Sequence, residues 1–457
     1  MKGARLLSIG LVAASLLSAC DPFDDSAPSI GGAPTTRGAA ASQPSVQQSA
    51  DTLARALTLL NENYVEGADL GKLVAASQKG AWEALAEAGV PPQDADQTPP
   101  GVLTESTQAL RQRFVRAAVR SGSKVQPGWL AYQMIRSAAN SLDDCHTGFL
   151  TPQQVQDQVQ RLNGTTKFSG IGVLLRRVSD KDQFTVVEVF RNSPAEKAGV
   201  RAGDLIVSVD GTDLKGLGLE QVVNMVRGPE GTATTLGITR LGSSQPIQIA
   251  VTRGSVSAPV LRSEVLDGDI GYVKFYGFPE PLTGELDTAL RTFDRQRVTA
   301  LIVDLRDNAG GQLDVVTKVT SRFVPDGPLF QGVSQTGDRT LFYADGNYWL
   351  KGRRLAVLVN GGTGSGGEIL ASAVKEHRSG TLVGTKTAGC VSTGQMFPLP
   401  DGSAIEIATN RVVSGLRGAE LNRVGVTPDV VVDTTPADLA NQRDVQLTQA
   451  VELLLRR

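Results

Sequence analysis

The sequence predicts a multidomain α/β protein in three parts: a helical N-terminal region, a β-rich unit and a layered α/β core. Apolar residues recur at helical spacing between residues 51 and 142. Short strand patterns separated by glycine turns follow from 166 to 254. Strand and helix patterns then alternate from 260 to 435, and a last helix is expected within 436–457. A chain of 457 residues is long enough for several domains with buried cores.

The charge balance excludes one class of partner. Lysine and arginine total 45 against 47 acidic residues, a net charge of -2. Nucleic-acid binding needs a basic surface, so no nucleic-acid partner is predicted.

The amino terminus is typical of an exported protein. Lys2 and Arg5 precede an apolar run that ends at Leu17, followed by Ser18, Ala19 and Cys20. The run is too short for an ordinary membrane-spanning helix. Its small-residue end resembles a bacterial lipobox, so 1–20 is expected to be a lipoprotein signal peptide with Cys20 acylated. A plain signal peptide or a short buried segment is the alternative.

The next segment, 21–50, is rich in Ser, Pro, Gly, Ala and Gln and is predicted to be a disordered linker. A small helical domain should follow over 51–160. Its last helix runs into a polar turn that contains Cys145 and His146, one of two histidines in the chain. The expected location is the bacterial cell envelope, on the periplasmic or extracellular side, with the lipid as the membrane anchor.

The β-rich unit, 166–254, has a recognisable order of motifs. Gly170, Ile171, Gly172 and Val173 form a glycine loop that enters a strand, and the segment 193–211 contains a short helix that begins with proline and a strand closed by an Asp-Gly turn. This run resembles a PDZ domain. The resemblance implies that a peptide end adds as a strand beside the loop, whose N–H groups hold its carboxylate. A structural insert without a ligand is the alternative.

A glycine-rich turn in the α/β core delivers Ser365 from an apolar strand to the start of a helix. Small neighbours leave its hydroxyl open, and the first N–H groups of the helix face any negative charge that develops there. The pattern predicts a nucleophile. Phosphate binding or tight packing would also explain such a turn.

Together with the lipobox and the PDZ-like unit, the motifs at 304–311, at Ser365 and at 425–429 closely resemble the C-terminal processing, or tail-specific, serine peptidases. The resemblance implies a crotonase-like peptidase core over 260–435 that acts on polypeptides, with Ser365 as nucleophile. It places one oxyanion donor at the Gly366 N–H and the second at Gly310 or Gly311.

The chain departs from this family at the base, because Cys390 stands where the usual lysine belongs. His146 is the preferred replacement, since histidine titrates near neutrality; Lys386 is the alternative. By resemblance to tricorn-type relatives, Glu420 or else Asn422 would orient the base, with Glu420 favoured. His377 is expected to cap or solvate its helix.

The cysteine count leads to one more hypothesis. With Cys20 acylated, Cys145 and Cys390 remain in an oxidising compartment, and the family alignment puts both beside the active centre. A disulfide between them would hold the His146 turn against the nucleophile, while two unpaired thiols are the alternative. No metal and no cofactor are predicted, because the cysteines and histidines lack paired ligand spacing.

The sequence therefore predicts a lipid-anchored serine endopeptidase that recognises C-terminal tails through its PDZ domain. The alternative is a weak or inactive pseudo-peptidase that binds tails of envelope proteins and has lost its base. A small-molecule hydrolase fits the PDZ-like unit poorly.

Overall fold

The computed structural model describes residues 44–91, 107–165, 167–178, 183–240, 243, 246–257, 259–435, 438 and 443–456. The predicted signal peptide, Cys20 and most of the predicted linker lie outside these residues. The predicted linker end at residue 50 is wrong, because helix α1 begins at Val46. Ser45 and Gln48 form a capping box there, and Ala50 is already buried.

The N-terminal region is helical, as predicted. Its core is built from the apolar stripes of α1, α2, α3 and α4, with Leu57, Leu85 and Ile135 fully buried. The elements of this region are α1 Val46–Asn63, α2 Leu70–Glu87, α3 Thr107–Ser121, α4 Pro127–Asn140, β1 Gly148–Leu150 and α5 Pro152–Leu162.

The β-rich unit forms a sheet in the order β3-β4-β5-β7-β8, with β6 beside β5. Strand β3 lies at the edge, and helix α7 contacts it. Strands β2 and β9 pair as a separate ribbon, which moves the end of this unit from the predicted 254 to 257. The elements are β2 Lys167–Gly170, β3 Val173–Val178, β4 Gln183–Val189, α6 Pro194–Ala198, β5 Leu205–Val209, β6 Thr212–Asp213, α7 Leu219–Val226, β7 Ala233–Thr239, β8 Ile247–Thr252 and β9 Gly254–Ser257.

The α/β core contains a six-stranded sheet in the order β10-β11-β12-β15-β16-β19, parallel except for β10. Alternate residues of each strand face opposite layers. Helices α8, α9 and α10 cover one face, and the C-terminal helix α11 covers the other. The elements are β10 Leu261–Leu266, β11 Ile270–Phe275, α8 Leu282–Arg295, β12 Ala300–Asp304, α9 Leu313–Ser321, β15 Arg354–Val359, α10 Gly366–Glu376, β16 Thr381–Gly384, β19 Val430–Val431 and α11 Val445–Leu455.

A second sheet, which the sequence patterns did not reveal, joins the helical region to this core. Strand β1 pairs with β18 in the order β1-β18-β13-β14, and β17 also pairs with β18. Ile405 and Ile407 of β18 lie in the apolar cluster of the N-terminal helices. This pairing brings the turn that bears His146 to the core. The added strands are β13 Pro328–Ser334, β14 Arg339–Tyr343, β17 Ser392–Pro398 and β18 Ala404–Ser414.

The PDZ-like sheet also contacts the core directly. Arg176 of β3 pairs with Asp307, and Glu188 of β4 accepts a hydrogen bond from Lys274 Nζ at 2.7 Å. The rings of Phe190 and Tyr276 pack edge to face. Among the described helices, none combines the length with the apolar composition that a membrane-spanning segment needs.

Candidate active site

Ser365 lies between the carboxyl end of β15 and the first turn of α10. Its backbone has φ 48° and ψ -116°, a conformation that costs a non-glycine residue about 1–3 kcal/mol. Backbone hydrogen bonds hold Ser365 on both sides: its N–H donates to the Cys390 carbonyl at 2.8 Å, and its carbonyl accepts the Glu368 N–H at 2.9 Å. The residue is only 3% exposed, and its hydroxyl does not cap the helix. The turn therefore fixes the hydroxyl rigidly at the helix start.

The loop after β12 packs against this turn. The Thr363 hydroxyl donates to the Leu305 carbonyl at 2.8 Å, and the Gly364 N–H donates to the Asn308 carbonyl at 2.9 Å. Strands β12 and β15 are parallel neighbours, so their carboxyl ends meet at one edge of the sheet. The two loops thus form a single rigid unit.

Gly310 lies directly against Ser365. A Cβ on Gly310 would lie 2.6 Å from Ser365 Cβ and 2.9 Å from its Oγ, and φ is +102°, so a side chain cannot fit without moving the serine. The Gly310 N–H donates to Asn308 Oδ1 at 2.9 Å. Gly310 is therefore not an available oxyanion donor, which corrects one of the two predicted alternatives.

The other two predicted N–H donors are free. Within the part of the chain that the structure describes, neither Gly311 N–H nor Gly366 N–H has an acceptor. Gly366 is the first residue of α10, where backbone N–H groups have no partner inside the helix. These two groups can stabilise an oxyanion formed next to Ser365.

His146 lies in the turn between α4 and β1 and is 2% exposed. In the structure, Cys145 and Cys390 form a disulfide with their Cα atoms 6.0 Å apart. His146 Nδ1 lies 3.3 Å from Cys145 Sγ and 3.5 Å from Cys390 Sγ. Burial lowers the pKa of His146, and the Asp144 carboxylate partly opposes that shift. The ring of His146 therefore stays neutral down to a lower pH than the ring of a free histidine does.

The disulfide is the covalent link between the two halves of the site. It closes a separation of 245 residues, worth about 5 kcal/mol in the chain-entropy model. Ser365 contacts the Cys390 carbonyl, and His146 contacts the Cys390 sulfur. Among the described residues, no hydrogen bond joins the Ser365 hydroxyl to the His146 ring.

Lys386 is exposed, and the structure gives it no ion pair or hydrogen bond within the described ranges. His377 is the C-cap residue of α10, but its side chain contacts strand β13 and not the end of its own helix: Nε2 lies 2.9 Å from the Pro328 carbonyl.

Glu420 does not contact His146, which removes the predicted orienting contact. Its carboxylate lies 3.7 Å from an Arg411 nitrogen and is 39% exposed. It lines a cavity of about 500 Å³ between the helical region and the core. Asn422, the alternative, accepts the Val391 N–H at 3.2 Å and so supports the strand after Cys390 instead of the base.

Glu368 is a site residue that the sequence reasoning missed. It is fully buried on the first turn of α10, where its carboxylate accepts the N–H groups of Gly389 at 2.7 Å and Cys390 at 2.9 Å, and the Thr387 hydroxyl. Burial raises its pKa, while these hydrogen bonds oppose the rise. Its place three residues after Ser365 is the signal that could have identified it. Glu368 positions the Cys390 segment against the nucleophile.

The loop predicted to bind peptide has suitable free groups. Neither Ile171 N–H nor Gly172 N–H has an acceptor among the described residues, while both carbonyls are used by Ala195 and Phe190. Gly170 ends β2 and Val173 begins β3, whose outer edge is open in the described sheet. Loop and edge together match the surface that strand addition requires.

Comparison with known proteins agrees with this geometry. The model of peptidase family S41 matches residues 269–432, and a PDZ domain model matches 185–240. The carboxy-terminal-processing protease of Bartonella bacilliformis is 30% identical over 70% of this chain and 74% of its own length. The chloroplastic C-terminal processing peptidase of Tetradesmus obliquus is 32% identical over 67% of this chain and 69% of its own.

A solved structure, the photosystem II D1 C-terminal processing protease, superposes with a TM-score of 0.56 at 26% identity, covering 84% of this chain and 93% of that one. The family expected from the sequence is thereby confirmed. The chain belongs to peptidase family S41, the carboxyl-terminal processing proteases, and is a serine-type peptidase that carries a PDZ domain.

Proposed function

We propose that this protein is a lipid-anchored endopeptidase that cleaves polypeptides by acyl transfer on Ser365 after its PDZ domain binds their C-terminal tails. One observation carries the proposal. Ser365 is held in a strained turn next to Gly310 and Gly366, and among the described residues the N–H groups of Gly311 and Gly366 have no acceptor. The backbone of Ser365 is also hydrogen-bonded to Cys390, which is cross-linked beside His146.

The chemical steps follow from these positions. The Ser365 hydroxyl attacks the scissile carbonyl and gives its proton to a base, and the resulting oxyanion accepts hydrogen bonds from Gly311 and Gly366. Collapse of the intermediate forms an acyl-enzyme and releases the amine product, which takes the proton from the base. Water then attacks the acyl-enzyme, aided by the same base.

His146 is the proposed base. Its Nδ1 faces the two sulfurs, so Nε2 is the ring nitrogen that remains to accept the serine proton. Catalytic hydrogen bonds are often long before substrate binds, and closure of the site must bring Nε2 to the hydroxyl. The disulfide makes this a small movement, because it ties the His146 turn to Cys390.

The PDZ domain supplies the tail recognition. The N–H groups of Ile171 and Gly172, which have no acceptor among the described residues, would donate to a terminal carboxylate, and the residues before that carboxylate would pair with the open edge of β3. Strand β3 also carries Arg176, which pairs with Asp307 in the loop that leads to Gly310 and Gly311. A bound tail therefore lies next to an element in contact with the active centre.

The Ser365→Ala substitution tests the function. We expect wild type to react with a fluorophosphonate and to cleave casein, and Ser365→Ala to do neither, because the nucleophile is lost. Ser372→Ala, on the same helix, is the matched control and should keep both activities. If wild type neither labels nor cleaves but still binds tail peptides, the protein is the pseudo-peptidase, a scaffold without hydrolysis.

The pH dependence of kcat/KM tests the base. Because burial favours the neutral ring, the acid limb should fall with an apparent pKa below about 6.5, the usual value for histidine. His146→Gln should lower kcat by about 10²- to 10⁴-fold, whereas Lys386→Gln should leave the profile unchanged. A profile that rises only at alkaline pH and disappears in Lys386→Gln would assign the base to the lysine.

Gly310→Ala tests the fit of the nucleophile against its neighbouring loop. The added methyl would meet Ser365 Cβ and Oγ, so kcat/KM should fall by about 100-fold, the effect of a small misplacement. Gly361→Ala is the control, because nothing lies within 4 Å of a Cβ there. Equal activity of the two variants, measured with one peptide substrate, would contradict the described contact.

Amidation of a substrate's C-terminus tests tail capture. Removal of the carboxylate should weaken binding by about 10- to 100-fold, since hydrogen bonds to a charged group are worth about 1.5–3 kcal/mol. The dissociation constant is measured on Ser365→Ala, which cannot consume the peptide. Equal affinity for the acid and the amide would end the proposed role of the Ile171–Gly172 loop.

The anchor and the envelope location rest on the sequence of the amino terminus. We expect Cys20→Ser to move the protein from the membrane pellet to the supernatant of a bacterial host, while Ser26→Ala leaves it in the pellet. A pellet that retains Cys20→Ser after an alkaline wash would argue against acylation as the anchor.

A further inference from the structure

The side chains of Cys145, His146 and Cys390 form a compact cluster of metal-ligating groups. One ligand atom of each lies within 4.8 Å of the others. We propose that reduction of the disulfide converts this cluster into a site for one zinc ion, bound by two thiolates and His146 Nδ1, and that the bound ion inhibits the peptidase.

The spacing between nitrogen and sulfur already fits zinc. Bonds of about 2.3 Å to sulfur and 2.0–2.1 Å to nitrogen at a tetrahedral angle put the two ligand atoms about 3.5 Å apart. His146 Nδ1 lies 3.3 Å and 3.5 Å from the two sulfurs. The ring can therefore keep its present position when an ion enters.

Only the sulfurs have to separate. Tetrahedral zinc holds two thiolates about 3.8 Å apart, and two sulfurs that are no longer bonded repel each other to a similar distance. Small side-chain rotations accommodate this change, since the Cα atoms are already 6.0 Å apart. Reduction itself thus moves the sulfurs toward the spacing that the ion requires.

Both backbones are fixed by contacts other than the disulfide. The Cys390 N–H donates to Glu368 Oε2 at 2.9 Å, and the Cys390 carbonyl accepts the Ser365 N–H at 2.8 Å. On the other side, the His146 N–H donates to Asp144 Oδ1 at 2.8 Å. The three ligands consequently stay close to one another after the cross-link opens.

The chemistry balances with a phosphine as reductant. A trialkylphosphine and one water convert the disulfide to two thiols, the phosphine taking up the oxygen and the sulfurs the two hydrogens. Zinc then displaces the two thiol protons. Two thiolates and Zn²⁺ are neutral together, which suits a site where His146 is 2% and Cys390 8% exposed. The fourth position of the ion is left for water.

Inhibition follows from the tautomer of histidine. When Nδ1 binds a metal, the neutral ring carries its proton on Nε2, so it has no lone pair for the Ser365 proton. This consequence rests on the proposed role of His146 as base. Metal binding itself depends only on the cluster.

The experiment uses the full chain with Cys20→Ser, so that Cys145 and Cys390 are its only thiols. The protein is reduced with phosphine, desalted without oxygen and titrated with Co²⁺ and with Zn²⁺. We expect one metal ion per chain, with the thiolate-to-cobalt charge-transfer band and the visible bands of tetrahedral Co²⁺, in wild type and equally in Ser365→Ala. The oxidised protein should bind none, and His377→Gln should bind as wild type does.

Cleavage of a peptide is followed in parallel. Zinc should abolish activity of the reduced protein, and removal of zinc followed by oxidation should restore it. The metal site is overturned if the oxidised protein, or Cys145→Ala/Cys390→Ala with an unchanged circular dichroism spectrum, binds as much metal as reduced wild type. Full activity with one bound zinc overturns the inhibition. Metal binding by a protein that never cleaves supports the site and counts against the proposed function alone.

Discussion

The active centre depends on the position of Cys390. Its carbonyl accepts the N–H of Ser365, its N–H donates to the buried carboxylate of Glu368, and its sulfur is bonded to Cys145 beside His146. The disulfide is thus a covalent joint between the segment that holds Ser365 and the turn that carries His146.

That joint connects two domains whose contact the fold also secures in other ways. Strand β1 adds to β18 of the core, and isoleucines of β18 are buried among the N-terminal helices. Each fully buried isoleucine side chain contributes about 1.5–3 kcal/mol, so the two together stabilise the contact by several kcal/mol. The disulfide adds a constraint of similar size. The His146 turn is therefore attached firmly to the core, although in the sequence it belongs to the N-terminal helical region.

The segments around Ser365 maintain its strained backbone conformation. Left-handed backbone at a non-glycine residue survives only where its surroundings determine it, and here three segments do so: the loop after β12, the first turn of α10 and the Cys390 segment. Close approach of Gly310 completes the enclosure. The result is a hydroxyl that is fixed in position but is not used in any hydrogen bond of the turn. Such preorganisation lets a short movement of the base complete the site.

The sequence by itself determined the order of domains, most helices and parallel strands of the core, the serine at a strand-to-helix turn, and the family. These features are local, because periodicity of 3.6 or 2 residues and glycine placement are written in short windows. Only the tertiary structure decided the rest. Strand β1 pairs with β18 across more than 200 positions, Gly148 opposite Glu406, and the pairing of β17 with β18 contains a register shift at Thr393 and Gly394. No short window of sequence contains that information.

The same distinction between local and tertiary information applies to the residues of the active site. Sequence placed Ser365, Gly366 and His146 in motifs, but it left Gly310 and Gly311 undecided, because only a folded loop shows that the Asn308 side chain takes the Gly310 N–H. It favoured Glu420, which lies near Arg411, and it overlooked Glu368, whose carboxylate is satisfied only where helix α10 meets the segment 387–390. Hydrogen-bond partners and burial are properties of chain segments that are distant in sequence, so they are settled by packing.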